Sequence, residues 1–426
     1  MKVNSLLLAG GALLAGTSAA SANGFQVNLG GQKNIGMGSV GVGLSLDQAA
    51  MFYNPGALAM VRANGVQLGA NFALARVGFR SADGGAQRNL NDQPVVVPFN
   101  FYAGFGPKDA KYKFGVAVYT PYGSTLKYAE NWEGRYALNE ITLQSVYVQP
   151  TASFALTPTL SIGAGLTILA YGNVNLQRTL PLPTGDARLT LDGKAKTQFG
   201  YNAGIFFKPS DKLSLGVSYR SKLEAKVEDG DLSIAGLPAS GSASAALINS
   251  RFTANKFSAT LPLPAVASVG VGITPTDKLT IGLDAALTFW STYRTLDFAF
   301  NGGVINGATT SSSKRFYQDA LTFRVGSQYK VSDQLAVRAG AVYDFTAVKD
   351  GYVTPETPDA DRYQLTAGFS YNLSEKFGVD ASYVFENFLQ RSQSQSDLLD
   401  NGTTDRVAGT YKTTIHIPGI GLHYNF

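Results

Sequence analysis

From Leu213 the chain alternates strictly: Leu213, Leu215, Val217 and Tyr219 fall on one face, Ser214, Gly216, Ser218 and Arg220 on the other. From Leu335 the apolar face is Leu335, Val337, Ala339, Ala341, Tyr343 and Phe345, opposite Arg338, Gly340 and Asp344. From Phe377 it is Phe377, Val379, Ala381, Tyr383 and Phe385, opposite Gly378, Asp380, Ser382 and Glu386. A period of two predicts strands with one apolar and one small or polar face. A soluble sandwich shows the same pattern with its apolar face turned inward. Here the strands run long and aromatics gather at the ends of the apolar faces, as in a membrane barrel whose lipid-facing band lies between aromatic girdles.

Each of these strands follows a short polar turn, built around Asp211, Asp277, Asp333 and Glu375 at spacings of 66, 56 and 42 residues. With "GPKDAK" at 106–111 and "TPT" at 157–159 there are six such turns. Six periplasmic turns pair off twelve strands. One strand before the first pair (about 64–79) and one after the last (about 406–426) make fourteen. Long polar stretches between the pairs, such as 121–139, 179–193 and 228–251, read as extracellular loops. The expectation is an all-β fold, a 14-stranded antiparallel transmembrane β-barrel over 64–426. A barrel of that size leaves a lumen that something must fill. Residues 23–63 do not alternate; they are Gly-rich, with Ser45 or Asp47 placed to cap a short helix and Pro55-Gly56 placed to stop it. They read as an N-terminal plug, or hatch, inside the lumen.

Composition narrows the address. Only 15% of the chain is charged, against roughly 25% in an average soluble protein. Residues 1–22 read as a secretory signal peptide, with Lys2, an apolar core from Leu6 to Ala15 and an Ala20-Ser21-Ala22 cleavage site. No later stretch reaches the ~18 apolar residues of a membrane helix. Strands reach lipid only as closed barrels, since an open edge leaves backbone groups unpaired. These features point to the outer membrane of a Gram-negative bacterium, with its lipids and lipopolysaccharide as neighbours and a monomer as the expected state. The absence of Cys excludes disulfides. The formal charge of +5 is mild for this length and suggests no nucleic-acid partner.

The stretch "NGFQVNLGGQKNIGMGSVGVGLSLDQAAMFYNPGAL", then "YTPYGSTLKYAENWEGRYAL", "GLDAALTFWSTYRTLDF" and "VYDFTAVKDGYVTPETPDADRYQLTAGFSY" follow one another in the order of a known family. The mature chain resembles the FadL family of outer-membrane transporters for long-chain fatty acids and other hydrophobic compounds. Gly56, after Asn54-Pro55, departs from the family's usual Ala. The resemblance implies passive, ligand-gated diffusion: a hydrophobic ligand enters from outside, occupies an internal pocket and leaves sideways through the barrel wall. Lateral exit spares an alkyl chain about 0.8 kcal/mol per CH₂ of re-exposure to water.

The resemblance also nominates residues. The gate is the extreme N-terminus, Asn23-Gly24-Phe25, with Phe25 as a wedge. Asn54 and Pro55 fix the hatch turn. The lateral opening falls in the third strand, about 111–120, where Gly115 is the single Gly and is expected at the kink. A carboxylate ligand needs a buried cation. Arg178 matches one of the two family positions; it shares the apolar register of Leu160, Ile162, Leu166 and Ile168 and needs a bulge to face inward. At the other position stands Asp297, a departure that leaves an uncharged ligand open. Trp290, in interior phase, lines the pocket or packs. Arg220, Arg324 and Arg338 are expected to form lumen ion pairs with Asp284, Asp344 and Asp380.

Other signals fail. Gly36-Met37-Gly38-Ser39-Val40-Gly41 matches G-x-G-x-x-G without a strand–helix–strand context. His416 and His423 are seven apart on one strand, hence on opposite faces, and cannot share a metal. No catalytic or metal site and no cofactor is expected. Gated transport of hydrophobic molecules is the favoured function, ahead of a non-selective aqueous porin or a structural or adhesive barrel working through its loops.

Overall fold

The computed structural model describes residues 24–84, 88–90, 93–107, 110–400 and 406–426. Fourteen antiparallel strands close into one barrel. They begin with β1 (Gly65–Asn71 and Leu74–Ser81), β2 (Arg88–Leu90 and Phe99–Phe105), β3 (Tyr112–Tyr119 and Gly123–Lys127), β4 (Glu140–Ala155) and β5 (Leu160–Leu182). Four interrupted strands follow: β6 (Gly185–Lys194 and Gln198–Ser210), β7 (Leu213–Arg220 and Leu223–Ala235), β8 (Lys256–Leu263 and Val266–Thr276) and β9 (Leu279–Thr288 and Thr295–Asn301). The wall ends with β10 (Thr310–Lys314 and Ala320–Lys330), β11 (Leu335–Asp344), β12 (Arg362–Asn372), β13 (Phe377–Phe388) and β14 (Gly409–Asn425). Closure is direct: β1 pairs with β14 from Gly65↔Asn425 to Ser81↔Gly409.

Five of the six short turns lie where the sequence puts them; residues 108–109 of the first lie outside the described residues. A turn hydroxyl often closes them by accepting the amide three residues on: Thr157 from Leu160 at 3.0 Å, Thr276 from Leu279 at 3.2 Å, Ser332 from Leu335 at 3.1 Å, Ser374 from Phe377 at 3.1 Å. That is why Ser and Thr recur in the repeat. The stretch 179–193, expected as a loop, instead carries β5 and β6 onward as a hairpin beyond the membrane.

Burial is inverted relative to a soluble protein. Val217, Val325, Leu365 and Leu422 face outward and are exposed. Tyr201, Tyr219, Phe323 and Tyr363 ring one edge of this band, and Phe207, Tyr329, Tyr371 and Tyr424 ring the other. Asp284, Arg338, Arg362, Asp380 and Glu386 are buried inside. Only lipid outside accounts for both sets.

The hatch fills the lumen with α1 (Gln32–Gly36), α2 (Ala50–Tyr53) and a 3₁₀ turn (Pro55–Met60). Asp47, not Ser45, steers entry to α2, its carboxylate accepting the Ala49 amide at 3.0 Å. Pro55 ends α2 and opens the 3₁₀ turn. Wall glycines let the hatch backbone touch the wall: a Cβ on Gly216 would lie 1.8 Å from the Val42 oxygen, and one on Gly326 1.8 Å from the Met37 oxygen. Polar pins hold it. Asp284 accepts the Gly41 and Val42 amides at 2.7 and 3.0 Å. Thr366 accepts the Gly38 amide at 2.8 Å and donates to the Gly36 carbonyl at 3.1 Å. Asn54 donates to the carbonyls of Val42 (2.9 Å) and, on β6, Ile205 (3.0 Å), and accepts the Gly56 amide at 3.0 Å. Gly56 itself packs against the Gly204 carbonyl, where its missing Cβ would stand 2.7 Å away.

The expected lumen ion pairs are re-dealt. Asp344 pairs with Arg362 at 2.8 Å, and Arg362 also holds Glu386 at 2.6 Å. Arg338 donates to Ser370 at 2.7 Å, which in turn donates to Asp380. Arg220 and Arg324 have no acidic oxygen at ion-pair distance among the described residues; Arg220 donates to the Phe52 carbonyl at 2.8 Å and lies over the Phe52 ring. The histidines occupy opposite faces, as their spacing requires: His423 is buried against Asp380 at 2.8 Å, while His416 meets Tyr383 on the outer face at 2.6 Å.

Candidate functional site

Strand β3 is broken. Its first segment pairs with β2 from Asn100↔Tyr119 to Phe105↔Phe114 and with β4 on its other side. Among the described residues its second segment pairs with β4 alone. Between them lie Thr120-Pro121-Tyr122, and Pro121 has no N–H to give a ladder. Above Tyr119 no β2–β3 ladder exists among the described residues. A side-chain clamp spans the gap instead: Gln93 donates to the Lys127 carbonyl at 2.6 Å and accepts the Lys127 amide at 3.1 Å. The break is therefore at 120–122, not at Gly115. Gly115 sits in regular register with Gly104 and Thr151. Its missing Cβ makes room for the hatch, with Met51 Cε 2.5 Å from that position.

The N-terminal segment covers the break from inside. Val27 donates to the Pro121 carbonyl at 2.8 Å and Gly123 donates to the Phe25 carbonyl at 2.9 Å, so Gln26 and Tyr122 face each other as a bridged pair. Gly24 lies flat on Trp290: a Cβ there would be 2.4 Å from the ring. Phe25 meets Trp290 edge-on at 4.8 Å and Tyr122 and Tyr293 at 6.1 Å. Asn23 lies outside the described residues. The loop between β11 and β12 bends back to this point, bringing the Asp359 carboxylate 3.5 Å from the Gly24 amide and 2.7 Å from the Thr346 hydroxyl. Burial pushes the Asp359 carboxyl up to about 6.

Phe25 forms part of the wall of an apolar cavity of about 860 Å³, with Leu143, Leu169, Leu176, Leu261, Tyr293 and Phe298. Glu356 and Thr357 supply polar groups. Leu176, Leu296, Phe298 and Glu356 are shared with a second, polar space of about 1270 Å³, which adds Arg178, Lys314 and Arg315. Arg178 reaches it through a bulge. Val146 pairs with Tyr171 but Tyr147 with Leu169, so Ala170 is extra. Below the bulge Ile162 and Leu166 face lipid; above it the same parity brings Val174, Leu176 and Arg178 to the cavities.

Asp297 does not enter either space. It is exposed and bound to the hydroxyls of Thr295 (2.7 Å) and Ser312 (2.5 Å), while its neighbours Leu296 and Phe298 line the cavity. The cation beside Arg178 is Arg315, buried and paired with Glu356. Sequence reasoning missed Arg315, Glu356 and Asp359, because none lies in an alternating strand. Trp290 is fully buried under Gly24 and Phe25; it backs the N-terminal segment rather than lining the cavity.

The family model described as "Outer membrane protein transport protein (OMPP1/FadL/TodX)" matches residues 13–426. The chain belongs to this family. A relative, the long-chain fatty acid transport protein of Escherichia coli O6:H1, is 23% identical over 85% of this chain and 86% of its own length. Among solved structures, a Pseudomonas aeruginosa FadL homologue superimposes with a TM-score of 0.79 at 21% identity, over 95% of this chain and 100% of that one. The Pseudomonas putida toluene transporter TodX gives 0.69 at 15% identity, over 92% and 97%. These likenesses confirm the plugged barrel. Membership of the OMPP1/FadL/TodX family places the chain in the outer membrane as a transport channel rather than an enzyme.

Proposed function

We propose that this chain carries small hydrophobic molecules, long-chain fatty acids or aromatic and alkane hydrocarbons, passively across the outer membrane. The ligand enters the polar space beside Arg178, Lys314 and Arg315 and moves into the apolar cavity. There it competes with Phe25 for apolar contacts. Displacing Phe25 breaks the backbone bonds from Phe25 and Val27 to Gly123 and Pro121 and uncovers the gap between β2 and β3, through which the ligand leaves into lipid. One observation carries this reading: the segment that walls the cavity is the same segment that backs the interruption in the wall.

The test is a lock. Gln26 and Tyr122 form a non-hydrogen-bonded antiparallel pair, the closer type at about 4.5 Å between Cα atoms, within disulfide range. The chain has no other Cys. A Gln26→Cys/Tyr122→Cys double variant, oxidised, should lose uptake of labelled oleate and regain it under reductant. Uptake that continues with the disulfide formed refutes lateral gating by this segment.

A further inference from the structure

Below the N-terminal segment lies another cavity, of about 530 Å³, lined in part by Gln26, Asn202, Arg220, Ser268, Thr288 and Arg324. Phe25 faces the apolar cavity and Gln26 faces this one, so two successive residues of the gate separate the two spaces. The partition is held by the Thr288 hydroxyl, which donates to the Gln26 side chain at 3.2 Å. Two guanidiniums reach the lower cavity. Arg324 has no acidic oxygen at ion-pair distance among the described residues. Arg220 gives one nitrogen to the Phe52 carbonyl and leaves a buried Nε without a partner. Asp284, across the ladder from Arg324, commits one oxygen to the hatch amides of Gly41 and Val42. Two cations against one carboxylate leave a single positive charge. Both arginines are partly buried, and a net positive charge facing a partly enclosed space attracts a counter-charge.

We propose that this lower cavity is a second binding station, which takes the carboxylate head of an acidic amphiphile on Arg220 and Arg324. The proposal rests on the transport reading above and adds to it a site for the head of its acidic ligands. One unmatched positive charge suits a monoanionic carboxylate. Arg presents paired donors to such a head, and the hydroxyls of Ser268 and Thr288 offer further bonds. When Phe25–Val27 moves aside the two cavities become one. The head then lies on the arginines while the tail remains in the apolar cavity beside the gap between β2 and β3. Arg178 and Arg315 admit the acid; Arg220 and Arg324 draw it past the gate.

The experiment compares uptake of oleate and of oleyl alcohol by cells lacking other transporters of this family and expressing the full chain. Arg324→Gln should lower oleate uptake about tenfold, the loss of one charged hydrogen-bonding group, and change oleyl alcohol uptake less than about twofold. Arg324→Lys should restore much of the difference. Ser268→Asp, which puts a carboxylate into the same cavity, should give the same selective loss and serves if Arg324→Gln does not assemble. Heat-modifiable migration of the barrel verifies folding in each case. Equal losses for acid and alcohol, no loss for oleate, or wild-type uptake of the alcohol alone overturns the second station and leaves the transport reading standing. Wild-type uptake of neither ligand above cells without the chain overturns the second station together with the fatty-acid part of the transport reading.

Discussion

The hatch body and the N-terminal segment belong to one continuous plug, yet they are fastened in opposite ways. The body, residues 31–60, meets glycine-paved wall and is pinned to β6, β9 and β12: the hatch side chain Asn54 to the Ile205 carbonyl, and the wall side chains Asp284 to Gly41 and Val42 and Thr366 to Gly36 and Gly38. The segment 24–27 is held by two backbone bonds to a broken strand, ring contacts to Phe25, one bond from Thr288 to Gln26 and a long Asp359 contact. Its partners on β3 are the groups that Pro121 leaves outside the ladder. A plug made this way can release one end and keep the rest seated. Local opening is drawn from regions with few buried fasteners, and here that region coincides with the gap in the wall.

The largest effect should come from denying the body its seat. Gly326→Val places side-chain atoms where the Met37 carbonyl lies, 1.8 Å from the Cβ position. Overpacking of this kind costs about 1–3 kcal/mol or more, and backbone on both sides leaves no flexible neighbour to yield. The barrel should still fold, because the strand ladder is untouched, but the hatch should unseat. Planar-bilayer recordings should show large stable conductance steps absent from wild type. Steps no larger than wild type would mean that the body is not the lumen's seal.

Asn54→Ala should act on the same side of the comparison, more weakly. It removes two donors and the acceptor for Gly56, about 1–3 kcal/mol of local stability if the freed groups stay dry. Brief, flickering conductance is the expected record. If Asn54→Ala opens the pore as fully as Gly326→Val, the pins rather than the close backbone packing hold the body.

The fixed parts were legible and the releasable ones were not. Alternation around Leu213, Leu335 and Phe377 and the recurring turns carried the strand number, because lipid outside and a polar hatch inside demand opposite faces at every pair of residues. Arg178 carried a visible contradiction, an inward role in an outward register, and the bulge at Ala170 resolves it. The position of the break was harder. Gly115 looked suitable because Gly marks bends, but glycines here mainly make room for the hatch. The stronger signal was Pro121, a residue that cannot donate, inside an otherwise regular strand. Arg315, Glu356 and Asp359 lie in segments with no period to fix their direction, so only the fold brings them to the cavity and the gate.

The smallest expected effect concerns the loop end of the gate. Burial raises Asp359 from 3.8 to about 6, so the folded state favours the neutral acid. The contribution is fully present below pH 3.8 and is lost as pH rises through about 6. The Gly24 amide favours the charged carboxylate, but the desolvation cost outweighs that bond, so charging Asp359 should draw it toward water and free the N-terminal segment more at pH 7 than at pH 4.5. A single Gln26→Cys, in a chain without other Cys, reports that release through its labelling rate by a thiol reagent. Comparing it in the wild-type and Asp359→Asn backgrounds cancels the thiol's own pH dependence. The ratio of the two rates should rise between pH 4.5 and 7 by less than about tenfold, while a cysteine at a pinned position such as Ala57 shows no such rise. A flat ratio would remove Asp359 from the gate and leave Phe25, the Thr288 bond to Gln26 and the two backbone bonds to hold it.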